Sequence, residues 1–201
     1  MTRRLVLATR NAHKVEELRR ILDAAGLDVE LLGSEAFADM PDVAETGVTF
    51  ADNALLKARA VAEATGLPAV GDDSGLCVDA LNGMPGVLSA RWAGEHATDQ
   101  RNLDLLLDQV AEVPDSRLGA RFVCAAALAL PDGRTCVAEG EVRGGLVRQP
   151  RGTNGFGYDP AFVPEGETRT TAEMPSDEKD AISHRGRAFR ALAPVVGEML
   201  G

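Results

Sequence analysis

The stretch ARFVCAAALALPDGRTCVAEGEVRG, residues 120–144, contains the pattern of a β-hairpin. Two runs rich in apolar and β-branched residues flank the turn PDGR, in which Asp132 and Gly133 form a strong short-range hairpin signal. The hairpin predicts one antiparallel pair of strands. If the rest of the chain supplies parallel strands, the sheet must be mixed.

The segments outside the hairpin alternate between strand-like and helix-like patterns. The apolar run RLVLAT at 4–9 precedes KVEELRRILDAAG at 14–26, where apolar residues recur at helical spacing. Thr49 and Asp52 form a capping pair for a helix that ends near Gly66. We therefore predict one α/β domain over residues 1–201, with a mixed sheet flanked by helices. Besides the hairpin, the predicted strands lie at 4–9, 28–32 and 68–73, and the predicted helices at 14–26, 49–66, 98–110 and 183–200.

Composition narrows the classes of function. The 201 residues are 45% hydrophobic and carry a formal net charge of -10, which argues against a protein that grips a nucleic-acid backbone. The three cysteines show neither a disulfide framework nor a metal-binding spacing. No apolar run approaches the roughly 18 residues of a membrane span. We expect a soluble cytoplasmic protein without nucleic-acid or membrane partners.

The first chemically suggestive stretch is TRNAHK at 9–14, where a predicted strand leads into a predicted helix. Backbone N–H groups at a helix start, together with the side chains of Thr9, Asn11 and Lys14, can hold phosphate oxygens. The alternative is that Asn11 only caps the helix while Lys14 is solvated. Neither GxxxxGK[ST] nor GxGxxG occurs in the chain, so a Walker-type or dinucleotide-binding loop is excluded.

Carboxylates mark the next two stretches, ETG at 45–47 and GDDSG at 71–75. The second lies at the expected carboxyl end of a strand, where α/β proteins bind their ligands. Two adjacent aspartates there call for a compensating cation, and Mg²⁺, which takes only one or two carboxylates, suits Glu45 with Asp73. The alternative is that Asp72 caps a turn and Asp73 lies on the surface.

The last two stretches are GTNGFGYDP at 152–160 and SDEKDAISHRG at 176–186. The glycines let the backbone turn tightly, and Phe156 offers a face for stacking a base. Lys179, His184 and Arg185 form a group of hydrogen-bond donors in an otherwise acidic chain. The pair of stretches therefore predicts a base pocket. The alternative is a glycine-rich turn filled by aromatic side chains.

In this order and spacing, TRNAHK, ETG, GDDSG, SARWAG, GTNGFGYDP and SHRG resemble the inosine triphosphate pyrophosphatases, also described as Ham1-like. The resemblance covers nearly the whole chain. It implies an α/β fold with an elongated mixed sheet, two lobes with the active-site cleft between them, and a homodimer. It also implies Mg²⁺-dependent, house-cleaning hydrolysis of ITP, dITP and XTP to the nucleoside monophosphate and pyrophosphate.

Carried over residue by residue, the resemblance implies a metal site at Glu45 and Asp73, with Asp73 as the general base. Arg10, His13 and Asn154 stand where many relatives have glycine, and their side chains alter how closely the backbone of those loops approaches phosphate. The implied substrate-binding residues are Thr9, Arg10, Asn11, Ala12, His13, Lys14, Asp72, Ser74, Phe156, Gly157, Tyr158, Asp159, Lys179, His184 and Arg185.

The resulting hypothesis separates reaction from selectivity. Asp73 deprotonates a water that attacks the α-phosphorus, and Asp72 is able to share or exchange this role because adjacency alone does not assign it. Hydrogen-bond donors of His184 or Arg185 pair with the C6 carbonyl of ITP. They disfavour ATP, which has an amino group at that position. Two alternatives stay open: a Maf-like pyrophosphatase with another base preference, and a nucleotide-binding regulator without catalysis.

Overall fold

The computed structural model describes residues 3–9, 12–24, 26, 28–33, 36–37, 40 and 42–200, without the side chains of Ala12, His13 and Glu17. Arg10 and Asn11 therefore lie outside the described residues. No helix in these ranges is both long and apolar enough to span a bilayer.

Six strands in the described ranges form one sheet in the order β2-β1-β3-β4-β5-β6. Strand β1 pairs in parallel with β2 and β3, whereas β5 and β6 are antiparallel. The predicted mixed α/β sheet is thus confirmed. The strands are β1 Arg3–Leu7, β2 Val29–Leu32, β3 Ala69–Val78, β4 Gly119–Ala129, β5 Thr135–Leu146 and β6 Phe162–Pro164.

The four predicted helices are present within one or two residues of their expected ends. Helix α4 and strand β6 are both short, and the sequence did not reveal them. The α-helices of the described chain are α1 Ala12–Ala24, α2 Phe50–Thr65, α3 Asp99–Gln109, α4 Ser176–Ile182 and α5 His184–Leu200.

Helix α2 begins and ends where local sequence dictates. Thr49 and Asp52 form a reciprocal capping box, and Gly66 follows the last turn in the left-handed conformation. Gly71 of β3 allows the helix to approach the strand closely, because a Cβ at this position would lie only 2.6 Å from the carbonyl oxygen of Ala54. Side chains of α2 can therefore reach the backbone and side chains of β3.

The described residues form two compact units. In the first unit, both faces of the sheet are buried: Leu128 packs in the cluster containing α1 and α5, and Ala127 packs in the cluster containing α2. This two-sided burial explains the uninterrupted apolar run in β4. The single domain over 1–201 and the cleft between lobes remain predictions. The first unit comprises Met1–Asp73, Cys124–Gly140 and His184–Gly201, and the second comprises Ser74–Val123 and Glu141–Ser183.

The expected position of GDDSG was wrong. These residues lie inside β3, which continues to Val78, and not at the carboxyl end of a strand. Since successive side chains of a strand point to opposite faces, Asp72 and Asp73 belong to different sides of the sheet. Both are buried, so the alternative that placed Asp72 at a turn and Asp73 on the surface was wrong too.

Candidate active site

The side chain of Asp73 points toward α2, where two polar side chains meet it. Asn53 donates from Nδ2 to Oδ2 of Asp73 at 3.0 Å, and the Lys57 ammonium lies 3.4 Å from Oδ1. Asn53 and Lys57 are four residues apart and so share one face of the helix. Helix α2 therefore holds both oxygens of this carboxylate.

Glu45 belongs to the same cluster. Its Oε1 lies 2.6 Å from Lys57 Nζ, so one ammonium joins the carboxylates of Glu45 and Asp73. The ETG loop is attached to α2 by a second contact, because the backbone N–H of Gly47 donates to Asn53 Oδ1 at 2.7 Å. Asn53 is fully buried, and its amide thus connects the loop that carries Glu45 to the side chain of Asp73.

The charges of this cluster oppose one another. Burial raises the pKa of Asp73, and the negative charge of Glu45 raises it further. Lys57 and the hydrogen bond from Asn53 act in the opposite direction, but the pKa of Asp73 remains above its usual value. For Lys57, burial lowers the pKa, but Asp73 and Glu45 outweigh it, so the ammonium form is stabilised. Asp73 therefore binds a proton more readily than an exposed aspartate does.

The donor set of Glu45 and Asp73 fits a hard divalent cation. Both are carboxylates, they come from separate segments of the first unit, and each has an oxygen within 3.4 Å of the same nitrogen. Within the described ranges no group of three or more His, Cys, Asp or Glu side chains could hold a metal. Two carboxylates suit Mg²⁺, which completes its coordination with water and phosphate oxygens.

Asp72 faces the opposite side of β3. Its Oδ2 accepts from Lys14 Nζ of α1 at 2.9 Å and from Arg185 Nε of α5 at 3.3 Å. Burial alone would raise the pKa of Asp72, but Lys14 and Arg185 outweigh it and hold the pKa well below its usual range. The two cations therefore favour the ionised form of Asp72. Lys14 is paired with this carboxylate, where the sequence left it either solvated or bound to phosphate.

Asp159 organises the glycine-rich loop of the second unit. Its Oδ2 accepts from Lys179 Nζ at 2.5 Å and from the backbone N–H of Phe156 at 2.8 Å, and Oδ1 accepts from the hydroxyl of Thr171. Gly155 has a φ of 75°, and a Cβ there would collide with the Asp159 carboxylate. The buried carboxylate thus shapes the loop from within.

The two aromatic residues of this loop have different environments. Tyr158 is buried, and its hydroxyl donates to the carbonyl oxygen of Ser89. Phe156 is 42% exposed, with Lys179 Nζ 5.3 Å from its ring centroid. Between them, the N–H of Gly157 donates to Asp99. Only Phe156 of the two offers an accessible face.

The remaining predicted residues lie within or next to regular elements, except Arg10 and Asn11, which lie outside the described residues. Thr9 and Ser74 are half-buried, and His184 is buried at the start of α5. Ala12 and His13 begin α1, but their side chains are not described. Lys179 lies in α4.

Sequence reasoning missed Asn53 and Lys57. One signal was available, since polar side chains four residues apart interrupt a helix face that otherwise carries buried Ala54, Ala58 and Val61. It also left SARWAG without a role. Ser89 in that motif accepts from the N–H of Leu76 and is part of the packing of the second unit.

Comparison with known proteins resolves the family. The model of the Ham1 family matches residues 5–195. The chain belongs to the Ham1 family. A Streptomyces coelicolor protein named dITP/XTP pyrophosphatase is 67% identical to this Ham1-family chain over 98% of its length and 99% of the relative's.

Solved structures agree with the family and the fold. A HAM1 protein from Coxiella burnetii is 42% identical, with a TM-score of 0.89, over 98% of this Ham1-family chain and 99% of that one. A Mycobacterium abscessus structure described as a nucleoside-triphosphatase and dITP/XTP pyrophosphatase is 52% identical, with a TM-score of 0.79, over 96% and 99%. The resemblance read from the sequence motifs is confirmed.

Proposed function

We propose that this Ham1-family chain is a nucleoside triphosphate pyrophosphatase that hydrolyses dITP, XTP and ITP to the monophosphate and pyrophosphate, with Mg²⁺ as cofactor. The observation that carries the proposal is the convergence of Glu45 and Asp73 on one ammonium, with Asp73 held by a buried amide. The names of the relatives support the substrate class, because they specify dITP and XTP.

Glu45 and Asp73 are the proposed metal ligands. When bound, Mg²⁺ neutralises phosphate charge and lowers the pKa of a bound water. The Lys57 ammonium offsets part of the negative charge of both carboxylates and so helps to keep them close together.

Asp73 is the proposed general base, which takes a proton from the attacking water. Without Mg²⁺, burial and the nearby Glu45 raise the pKa of Asp73, so this carboxylate accepts a proton more readily than an exposed aspartate does. The Asn53 amide donates to one oxygen of Asp73 and so restricts the rotation of the carboxylate. Asp72 does not exchange roles with Asp73 in this proposal, because its carboxylate lies on the other face of β3 and is paired with two cations.

Phosphate binding is assigned to the segment from Thr9 to Lys14. The N–H groups at the start of α1 and the Lys14 ammonium favour negative charge there. Charge that develops on departing pyrophosphate is stabilised by such donors.

Base selection is assigned to Phe156, Lys179, His184 and Arg185. The exposed ring of Phe156 presents a stacking face, and the adjacent Lys179 ammonium helps to hold the ring. Donors of His184 or Arg185 pair with a carbonyl at C6, whereas the amino group of ATP leaves them unsatisfied at a cost of about 1–3 kcal/mol. Asp159 and Tyr158 serve the loop and its packing in this proposal.

A catalytically inactive nucleotide sensor is the principal alternative. A sensor has no need for a buried carboxylate with a raised pKa beside a second carboxylate, which favours the enzyme. The names of the relatives likewise favour purine triphosphates over the pyrimidine or modified nucleotides expected of a Maf-like enzyme. We retain the homodimer as part of the proposal.

The test is pyrophosphate release from ITP, XTP, dITP, ATP, GTP, CTP and UTP, each with Mg²⁺ and with chelator. We expect rapid release confined to ITP, XTP and dITP, and loss of release in chelator. Binding of ITP without release would establish a sensor instead. A flat or pyrimidine-biased profile would overturn the proposed substrate class.

A further inference from the structure

Two cations from different helices share a single oxygen of Asp72. Lys14 reaches it from the first turn of α1, and Arg185 reaches it from the first turn of α5. Asp72 is 1% exposed, Arg185 4% and Lys14 17%, so this contact is largely screened from solvent. Without the carboxylate, the two cations would repel each other at short range.

The backbone that carries Asp72 is held as well. Lys57 of α2 donates to the carbonyl oxygen of Asp72 at 2.9 Å, so the strand is attached to α2 at the residue whose side chain binds α1 and α5. The second carboxylate oxygen, Oδ1, is buried and has no hydrogen-bond partner within the described residues. Oδ2 therefore carries the contacts of this carboxylate with the cations.

These contacts connect the residue proposed to bind phosphate with a residue proposed to select the base. Lys14 is assigned to phosphate and Arg185 to the base, and each acts from a side chain oriented by the same oxygen. A shift of either cation alters the field and the hydrogen-bond geometry that the other experiences. Residues that share a partner in this way show non-additive mutational effects.

We propose that Asp72 is a positioning residue that couples phosphate recognition by Lys14 to base recognition by Arg185, instead of contacting the substrate itself. This inference rests on the proposed function, because it takes the roles of Lys14 and Arg185 from it. It predicts that substitution of Lys14 changes base selectivity and that substitution of Arg185 changes the affinity for phosphate.

The first experiment measures these cross-effects in the full chain. Base selectivity is the ratio of kcat/KM for ITP to that for ATP, and phosphate recognition is the inhibition constant of inorganic pyrophosphate. We expect Lys14→Met to lower the ratio, and Arg185→Met to raise the inhibition constant, each by about threefold or more. If each substitution changes only the property of its own side, the coupling is refuted.

The second experiment asks whether Asp72 transmits the coupling. Asp72→Asn keeps the size of the side chain and one acceptor, but removes the charge that holds both cations. We expect KM for ITP to rise more than kcat falls, and both cross-effects to shrink below about twofold when the substitutions are repeated in this background. Cross-effects that persist there would assign the coupling to another residue and overturn the proposal.

The controls separate positioning from general damage. Asp132→Asn makes the same chemical change in the exposed turn between β4 and β5, and we expect wild-type values for every constant. A merely structural role of Asp72 would lower the melting temperature and the active fraction, but leave the selectivity ratio and the inhibition constant unchanged; that result would refute positioning. If Asp72→Asn does not fold, the single substitutions at Lys14 and Arg185 still decide whether the coupling exists.

Failure of the inference is distinguishable from failure of the proposed function. If the wild-type chain releases no pyrophosphate from ITP, the proposed function is wrong and the inference falls with it. If the wild type is active and selective but the cross-effects are missing, only the inference is wrong.

Discussion

Asp72 and Asp73 are identical neighbours in β3, yet the two faces of the strand give them opposite properties. On the side of α1 and α5, Lys14 and Arg185 hold the pKa of Asp72 below its usual range. On the side of α2, burial outweighs Lys57 and Asn53 and raises the pKa of Asp73. Adjacent residues of one type thus differ in proton affinity, with Asp72 favouring the ionised form and Asp73 binding a proton more readily, because a strand sends alternate side chains into different surroundings.

The sharpest test of this contrast is removal of the proposed base. We expect Asp73→Asn to lower kcat for ITP by about 10³-fold or more, since it removes both proton transfer and a metal ligand. The measurement is steady-state pyrophosphate release at saturating Mg²⁺, with circular dichroism to verify folding. A near-wild-type rate would show that Asp73 is not the base.

A smaller effect is expected from the cation that joins the two proposed metal ligands. Lys57→Met retains much of the side chain's bulk but leaves Glu45 and Asp73 to repel each other. We expect kcat to fall by about 10–100-fold, with a changed affinity for Mg²⁺, because groups that orient metal ligands typically contribute this much. Calorimetric titration of Mg²⁺ without nucleotide provides a second readout. Unchanged metal affinity and rate would assign Lys57 to packing.

For Lys57, a matched substitution is available on the same helix. Arg59→Met also removes a cation from α2, but at an exposed position. Its activity and Mg²⁺ affinity should equal those of the wild type. Equal losses in both variants would trace the effect to net charge and not to the cluster.

The smallest expected effect concerns stability at acidic pH. The lowered pKa of Asp72 contributes stability that is present above the unfolded value of 3.8 and is lost as the pH falls through its folded value. The raised pKa of Asp73 has the opposite sign, so protonation between its folded value and 3.8 relieves a destabilisation as the pH falls. A tenfold difference in proton affinity between the folded and unfolded chain corresponds to about 1.4 kcal/mol of stability.

Urea unfolding in the presence of chelator, measured from pH 6 to pH 3, tests both predicted pH dependences of stability. Relative to the wild type, Asp72→Asn should lose less stability on acidification, and Asp73→Asn should lose more. If the two variants show the same slope, the two carboxylates do not differ in the way the structure indicates.

Local signals predicted the regular elements well. Thr49 and Gly66 set the ends of α2 because capping depends on residues close in sequence, and the turn around Gly133 set the hairpin for the same reason. The placement of GDDSG at a strand end failed because the length of β3 depends on burial by other elements, which a local pattern does not contain.

The sequence by itself determined the mixed α/β class, the family through its ordered motifs, and a set of candidate site residues. Only the tertiary structure decided how those residues are grouped. Asn53 and Lys57 acquire a role only when Gly71 lets α2 approach β3, and Lys14 meets Arg185 at Asp72 only through helices that begin 172 residues apart in the chain, at Ala12 and His184. Such contacts arise from packing between distant segments, so no spacing within a single motif encodes them.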